Sequence, residues 1–373
     1  ILVFCATERE ILDAQKHLEK LALRHTEVLP LFGRLSLAAQ QAVFHPKGGR
    51  RIILTTNVAE TSLTVPRIRY VIDTGRARIS RYSLRTKTQR LPIEPISQAS
   101  ANQRAGRCGR LSAGVCLRLY SREDFELRPA FTEPEILRTN LAAVILQMLF
   151  LKLGAVDQFP FVDVPDQRQI NDGYRLLFEL QAVDEKNQLT ALGRKMALLP
   201  IDPRFARIVF AAKSCLQEAL IILAFLSIQD PRERPLNSEA LADQRQGEFV
   251  HGQSDFQTIL NLFVAYQQQR RDKSGGGLRS WCKHYFLNFL RMREWRELVN
   301  QLLHDCRDLK LNPNDFKTQP RPEALPAGSK GRLALVNDSL PLLHEALLTG
   351  FLDQVGLWDE QNRDYLRPRH SRF

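Results

Sequence analysis

The residues with the clearest capacity for chemistry lie in Gln103-Arg104-Ala105-Gly106-Arg107-Cys108-Gly109-Arg110, where three arginines recur every third position. Positions three apart share one face of a helix, so this spacing predicts guanidinium groups converging on a common target. Gly106 and Gly109 remove side-chain bulk between the last arginines and allow a ligand close to the backbone, at a cost in helix stability. Guanidinium is a planar, permanently charged fork that matches phosphate oxygens. The competing reading is a solvated basic helix end. The glycine spacing favours an anion site.

Charge is focused on the same region. The 373-residue chain has a formal net charge of +12, yet the 44 residues from Arg67 to Arg110 hold eleven Lys/Arg against Asp73 and Glu94. That stretch carries a surplus of nine charges and leaves three for the remaining 329 residues, which points to a local polyanion site. It contains no amphipathic helix, which disfavours a membrane surface. Hydrophobic residues make up 44% and charged residues 25%, a globular composition for which two or three domains are expected. The apolar runs Leu141–Ile145 and Ala219–Leu226 are too short to span a bilayer. Six cysteines without a Cys-x-x-Cys pair disfavour zinc and a disulfide framework, and fit a reducing cytoplasm. The chain opens on the apolar run Ile1–Cys5 with no leader, and that start reads as cut within a strand.

The elements that must position the arginines alternate. Ile1–Ala6 reads as a buried strand, Thr7 with Glu10 as a capping box opening a helix through Leu23, and Val28–Phe32 as a second strand. A Ser36-capped helix over Leu37–Phe44 follows, then strands over Arg51–Thr55 and Arg69–Ile72. This order predicts a parallel sheet with helices on its faces and ligands at the loops leaving the carboxyl ends of strands. Phe32-Gly33-Arg34, Thr55-Thr56-Asn57 and Asp73-Thr74-Gly75 are such loops. Arg78–Ile93 reads as a basic β-hairpin with Ile79, Arg81, Ser83 and Arg85 on one face. Its cations either blunt an edge or touch a nucleic-acid backbone.

From Glu135 onward the pattern is mainly helical. Helices over Leu141–Leu151 and Asp172–Leu180, then a strand-turn-strand over Ala182–Thr190, give a winged-helix order. Helices over Phe205–Gln217 and Glu218–Ser227 begin a region reaching Leu309, interrupted by a flexible loop over Asp272–Gly277. Asn312–Lys330 reads as a linker.

These motifs resemble those of a known family. Gln103–Arg110 resembles motif VI of the superfamily 2 helicases in its DEAH-box form, and Thr56–Thr64 resembles motif V. Val71–Gly75 follows at the family's distance, and Ile1–Glu10 resembles motif IV. Ser227–Pro231, Trp281-Cys282, Tyr285 and Asn288 resemble later landmarks of the group. Taken together, the chain resembles the HrpA-type bacterial ATP-dependent RNA helicases. The resemblance implies a RecA-like α/β domain over 1–121, a winged-helix domain over 122–200, a helical ratchet domain over 201–311, a linker over 312–335 and the start of an oligonucleotide-binding (OB) β-fold over 336–373. No Gly-x-x-x-x-Gly-Lys-Ser/Thr and no Asp-Glu-Ala-His occurs in the chain. The expectation is therefore that ATP with Mg2+ is held mainly by a first RecA-like domain missing from it.

The resemblance also implies roles. Arg107 and Arg110 are expected as arginine fingers toward the γ-phosphate, with Gln103 beside them. Arg104 either joins this phosphate set or serves as a salt-bridged structural residue. Gly33, Ser36, Thr56, Asn57 and Ser62 are expected to meet RNA, with Arg81, Arg85 and Lys87 of the hairpin near the strand-separation path. Glu60 is expected in an ion pair with a motif arginine, with a catalytic role as the alternative. Read from their helical spacing, Trp281, Tyr285, Phe286 and Phe289 form an aromatic core stripe, with stacking on bases as the alternative. The implied activity is ATP-driven 3′-to-5′ movement on single-stranded or structured RNA, with ribosome-associated RNA among the candidate targets. The chain is expected to act as a cytoplasmic monomer without a metal site of its own. The alternative is a non-catalytic RNA-binding protein. A dinucleotide-dependent oxidoreductase is disfavoured because no Gly-x-Gly-x-x-Gly follows a strand.

Overall fold

The computed structural model describes the chain apart from residues 34, 36, 46, 47, 62, 85, 86, 111, 236, 237, 273, 274, 312–339, 361, 363 and 367–373. Two compact units are present, one of residues 1–139 with 162–165 and the other of residues 140–161 with 166–373.

In the first unit, strands β1 (Leu2–Phe4), β2 (Thr26–Leu31), β3 (Arg50–Thr55), β4 (Tyr70–Asp73) and β9 (Val115–Arg118) form one sheet in the order β2-β3-β1-β4-β9. All four neighbouring pairs are parallel, and β1 lies between β3 and β4 with Leu2 opposite Ile53 and Val71. Side-chain alternation along the strands builds a core on each face. Leu2, Phe4, Ile53 and Val71 pack with Leu31, Ala59 and Cys108 on one side, and Cys5, Ile52 and Leu54 pack with Ile11 and Phe32 on the other. Helix α1 (Glu8–Lys20) starts as its sequence dictates, with Thr7 Oγ1 accepting from Glu10 N at 3.1 Å. The return arm of the cap reaches Ala6 N, 2.9 Å from Glu10 Oε2, one residue before the expected partner. Helix α2 (Leu37–Ala42) connects β2 to β3. The edge strand β9 carries no clear apolar signature, because Val115 and Leu117 are half exposed.

The expected hairpin is a two-tier ribbon. Strand β5 (Arg76–Arg78) pairs antiparallel with β8 (Ile93–Pro95), and β6 (Arg81–Ser83) pairs with β7 (Thr88–Arg90), placing Arg81 opposite Arg90. Helices α3 (Gln98–Ala105) and α4 (Arg122–Leu127) flank β9 in the chain.

The second unit is helical. Helix α5 (Ala142–Leu151) is apolar nearly all round and packs on α6 (Gln167–Glu179), which begins five residues before the expected Asp172 because Asp166 and Gln169 form a capping box. A Cβ at Gly173 would lie 2.6 Å from Ile145 Cδ1, so a glycine lets the two helices meet. The expected strand-turn-strand is a turn closed by one bridge, Val183 to Leu189, and helix α7 (Ala191–Met196) follows it. Helices α8 (Pro203–Ala211), α9 (Leu216–Ser227), α10 (Glu239–Gln246), α11 (Asp255–Asp272), α12 (Gly275–His284) and α13 (Phe289–Asp308) complete the helical region. Gly275, Gly276 and Gly277 form the first turn of α12, so the expected flexible loop does not extend to them. The core here centres on Trp295, fully buried, with Nε1 donating to Ile221 O at 2.8 Å and its ring against Phe225 and Phe263. Trp281 and Tyr285 pack against Phe249, and Asn288 caps α13 while holding Glu233 at 2.9 Å.

The linker expected from sequence lies outside the described residues. Beyond it, helix α14 (Leu340–Leu348) packs on α8 and α9 within the second unit, where Arg204 forms a bidentate pair with Asp353 at 2.6 and 2.8 Å. Strands β10 (Leu357–Asp359) and β11 (Asp364–Leu366) then make a two-stranded ribbon. No further strand joins it among the described residues, so the expected OB-fold start is not established by this geometry. No described helix is long and apolar enough to cross a membrane.

Candidate phosphate- and RNA-facing site

Helix α3 begins with Ser97 Oγ accepting from Ser100 N at 3.2 Å, and Ala101 packs on Ala77 and Ile96. It ends at Ala105, with Gly106 as its cap, so the three arginines do not share one helical face. The helix-weakening Gly106 ends the helix between the first arginine and the other two, and Gly109 follows between those two. Arg104 turns inward, whereas Arg107 is half-buried and Arg110 is exposed on the chain that follows.

Arg104 is 0% exposed. Its Nε donates to Glu60 Oε2 at 3.0 Å, and one terminal nitrogen donates to Asp73 Oδ1 at 2.7 Å and to Arg76 O at 3.2 Å. The guanidinium also sits 4.7 Å from the Phe4 ring centroid. A buried cation held by two carboxylates is a structural tie, and removing either side leaves an uncompensated buried charge. A phosphate would have to reach a group that solvent does not reach, so the geometry places Arg104 outside an open phosphate site. Asp73 is equally buried; it accepts from Gly75 N at 2.9 Å and from the Tyr120 hydroxyl at 2.9 Å. Burial and the Asp73 carboxylate push the Tyr120 phenol well above its ordinary range, which keeps it protonated and donating.

The other two arginines are fixed by the segment after β3. Arg107 donates to Leu63 O at 3.3 Å and to Glu60 O, and Arg110 donates to Thr64 Oγ1 at 2.7 Å. Burial, and then the positive charge of Arg110, lower the Arg107 pKa from its ordinary value. Two guanidinium groups that repel each other at a solvent-facing position fit an anion between or before them. Gln103 is exposed and its side chain makes no hydrogen bond among the described residues.

The parallel register aligns Leu31 with Thr55, so Gly33, Thr56 and Asn57 leave the sheet from neighbouring carboxyl ends. Asn57 is exposed at the start of a 3-10 turn over Asn57–Ala59, and Thr56 is half-buried. Backbone groups and short polar side chains in this position suit sugar-phosphate contact without base reading. Ser36, Ser62 and Arg85 lie outside the described residues.

In the ribbon, Arg81 donates to both oxygens of Glu94 at 2.7 and 2.8 Å and pairs with Glu133. Those two hydrogen-bonded carboxylates raise its pKa, and they already balance the charge expected to face RNA. Lys87 sits at the turn with a left-handed φ of 55°. Arg78 and Arg90 are exposed without a carboxylate partner among the described residues, and sequence reasoning did not single them out. Their signal was present in the strand alternation, but pairing with Glu133 across 52 residues is invisible to it.

Comparison with known proteins gives a consistent result. The model of the helicase conserved C-terminal domain matches residues 1–112, that of the winged-helix helicase-associated domain (HA2) matches 174–201, and that of its ratchet-like part matches 202–285. Over 100% of its length the chain is 50% identical to an ATP-dependent RNA helicase HrpA homolog of Haemophilus influenzae and 50% identical to ATP-dependent RNA helicase HrpA of Escherichia coli. It spans 28% of each of those relatives. Among solved structures, the DExH-box NTPase HrpB of E. coli superposes with a TM-score of 0.66 at 28% identity, covering 98% of this chain and 37% of that one.

Proposed function

Because the chain belongs to the HrpA-type DEAH-box helicases, with a conserved C-terminal helicase domain followed by helicase-associated regions, we propose that it forms the second motor half of an enzyme coupling ATP hydrolysis to 3′-to-5′ movement along RNA. In this reading residues 1–121 are the second RecA-like domain, 122–200 the winged helix and 201–311 the ratchet. Arg107 and Arg110 meet the γ-phosphate of ATP, with Gln103 at the phosphate or its attacking water. The phosphate loop and Mg2+ carboxylates belong to a first motor domain. Phosphoryl transfer spreads negative charge over the transferred oxygens, and a guanidinium that neutralises it raises the rate by roughly a thousandfold or more.

The observation that carries this reading is the divergence of the three arginines. One is buried in ion pairs, while the other two stand together facing solvent and are tied to the loop that leaves β3. The carboxyl ends of β2 and β3, through Gly33, Thr56 and Asn57, supply contacts to the RNA backbone. An RNA-bound loop and a nucleotide-facing arginine thus share the segment 56–64, which is what coupling of the two ligands requires. The substrate is single-stranded or structured RNA.

The test is Arg107→Ala and Arg110→Ala in the full-length enzyme. RNA-stimulated ATP turnover is expected to fall at least a thousandfold in each, with RNA affinity within about threefold of wild type at fixed salt. Wild-type turnover in both variants would reject the assignment of Arg107 and Arg110, whereas no ATP turnover by the unmutated full-length protein would favour the non-catalytic RNA-binding alternative.

A further inference from the structure

The arginine motif ends at Arg110 and the match to the helicase C-terminal domain at residue 112, yet α3 is braced by residues beyond both. At its amino end, Gln98 N and Ala99 N donate to Pro129 O and Ala130 O at 3.0 and 2.9 Å. These are first-turn amides with no acceptor inside the helix. The Gln98 side chain donates to Glu126 O at 3.2 Å and to Arg128 O at 2.8 Å. At the carboxyl end the brace acts through Asp73, whose two oxygens are divided between Arg104 at 2.7 Å and Tyr120 at 2.9 Å.

Tyr120 is itself clamped. The Arg128 guanidinium lies 3.8 Å from the centroid of its ring, pairs with Asp124 at 2.7 Å and donates to Gly75 O at 3.0 Å. Gly75 has a φ of 75°, and a Cβ there would lie 2.6 Å from the Tyr120 ring and 2.7 Å from Arg128. Ring, guanidinium and turn therefore meet closely around Gly75, and the Tyr120 hydroxyl holds the Asp73 oxygen that Arg104 does not use.

We propose that the segment from Tyr120 to Ala130 positions the phosphate-facing arginines: Tyr120 fixes Asp73 and through it Arg104, while the carbonyls after α4 fix the start of α3, so the chain leaves the helix with Arg107 and Arg110 at a set height. Tyr120 is a positioning residue, since it acts through Asp73 and Arg104. This inference rests on the reading of Arg107 and Arg110 as the groups that meet the γ-phosphate.

Tyr120→Phe in the full-length enzyme removes the hydroxyl and keeps the ring beneath Arg128. At a temperature where the variant is folded, kcat for RNA-stimulated ATP hydrolysis is expected to fall about tenfold, with KM for ATP within about twofold. A hydroxyl that only adds stability would lower the melting temperature and leave kcat unchanged, which overturns the proposal. Combined with Arg107→Ala and Arg110→Ala together, Tyr120→Phe is expected to cause no further loss, and a fully additive loss also overturns it. Should Tyr120→Phe not fold, Gln98→Ala cuts the other end of the brace, and a wild-type kcat there is the contrary result. Wild-type turnover in Arg107→Ala alone rejects the phosphate assignment itself, whatever Tyr120→Phe does, so the two failures are separable.

Discussion

Glu60 holds Arg104 and Arg107 through different atoms: its carboxylate accepts from Arg104 Nε at 3.0 Å, and its backbone carbonyl accepts from Arg107. A single residue after β3 therefore ties the buried arginine and a solvent-facing one to the same loop. The consequences of substitution differ sharply along this short stretch.

Arg104→Ala leaves Asp73 buried without its cation and is expected to destabilise the first unit by about 3–5 kcal/mol, a large share of typical domain stability. Arg104→Lys recovers only part of this, because an ammonium cannot reproduce the forked contacts to Glu60 and Asp73. Arg107→Ala and Arg110→Ala remove partly exposed groups and are expected to cost less than about 1 kcal/mol. Denaturant unfolding of the isolated chain, followed by a probe in the first unit, checks the contrast. Equal losses at 104 and 107 would contradict the assigned burial.

In the ribbon, Arg78→Ala and Arg90→Ala are each expected to weaken RNA binding and to reduce the salt dependence of affinity by about 0.7 in log-log slope per lost phosphate contact. Arg81→Ala is expected to leave both within error, since Glu94 and Glu133 already occupy that guanidinium. Filter binding or fluorescence anisotropy over a salt series distinguishes them. A loss confined to Arg81→Ala would restore the reading made from alternation alone.

Alkaline titration reports the second unit. Burial, with the hydrogen bond to Glu248, pushes the Tyr285 phenol up to about 12. A phenol whose folded pKa is raised contributes stability that is complete below its unfolded value of about 10 and lost as pH rises through the folded one. The window is therefore about pH 10 to 12. Tyrosinate absorbance is expected to show Tyr285 among the late-titrating groups, and Tyr285→Phe to remove that late step and flatten the loss of stability there. An ordinary titration near 10 for every tyrosine would contradict the packing against Glu248.

Just after α14, Asp353 pairs with Arg204 of α8, the side chains being 16% and 12% exposed. Asp353→Asn is expected to cost about 1–3 kcal/mol of local stability, because a bidentate ion pair becomes a single hydrogen bond from the guanidinium to a neutral oxygen. Hydrogen exchange should then accelerate at 340–354 while α11 and α13 stay protected. Uniform acceleration across the helical unit would show that α14 is part of the unit's cooperative core and not a separately docked element.

Much of the first unit was legible because its signals are local. Thr7 and Glu10 announce a helix start from four consecutive positions, and the apolar runs of β1, β2 and β3 alternate with helices in the order a parallel sheet demands. Signals failed where local pattern was weak or misleading. The strand β9 has half-exposed Val115 and Leu117 at a sheet edge, and Gly275–Gly277 read as a loop although they open a helix. The Asp166 capping box was in the sequence, but the apolar period of α6 starts later and drew the boundary with it.

For the site, the sequence alone determined which residue types are gathered: arginines spaced by glycines, a Thr-Asn strand end, and charge concentrated between Arg67 and Arg110. These follow from composition and spacing within a few residues of each other. Only the tertiary structure decided which arginine faces inward, because the carboxylates that claim Arg104 stand 44 and 31 residues away in the chain. The same holds for Arg81 and Glu133, and for Tyr120 against Asp73. Periodicity places a side chain on a face of its own element. Whether a charge there is open to a ligand or already neutralised depends on what distant segments bring against it, since burial and pairing are properties of the packed fold.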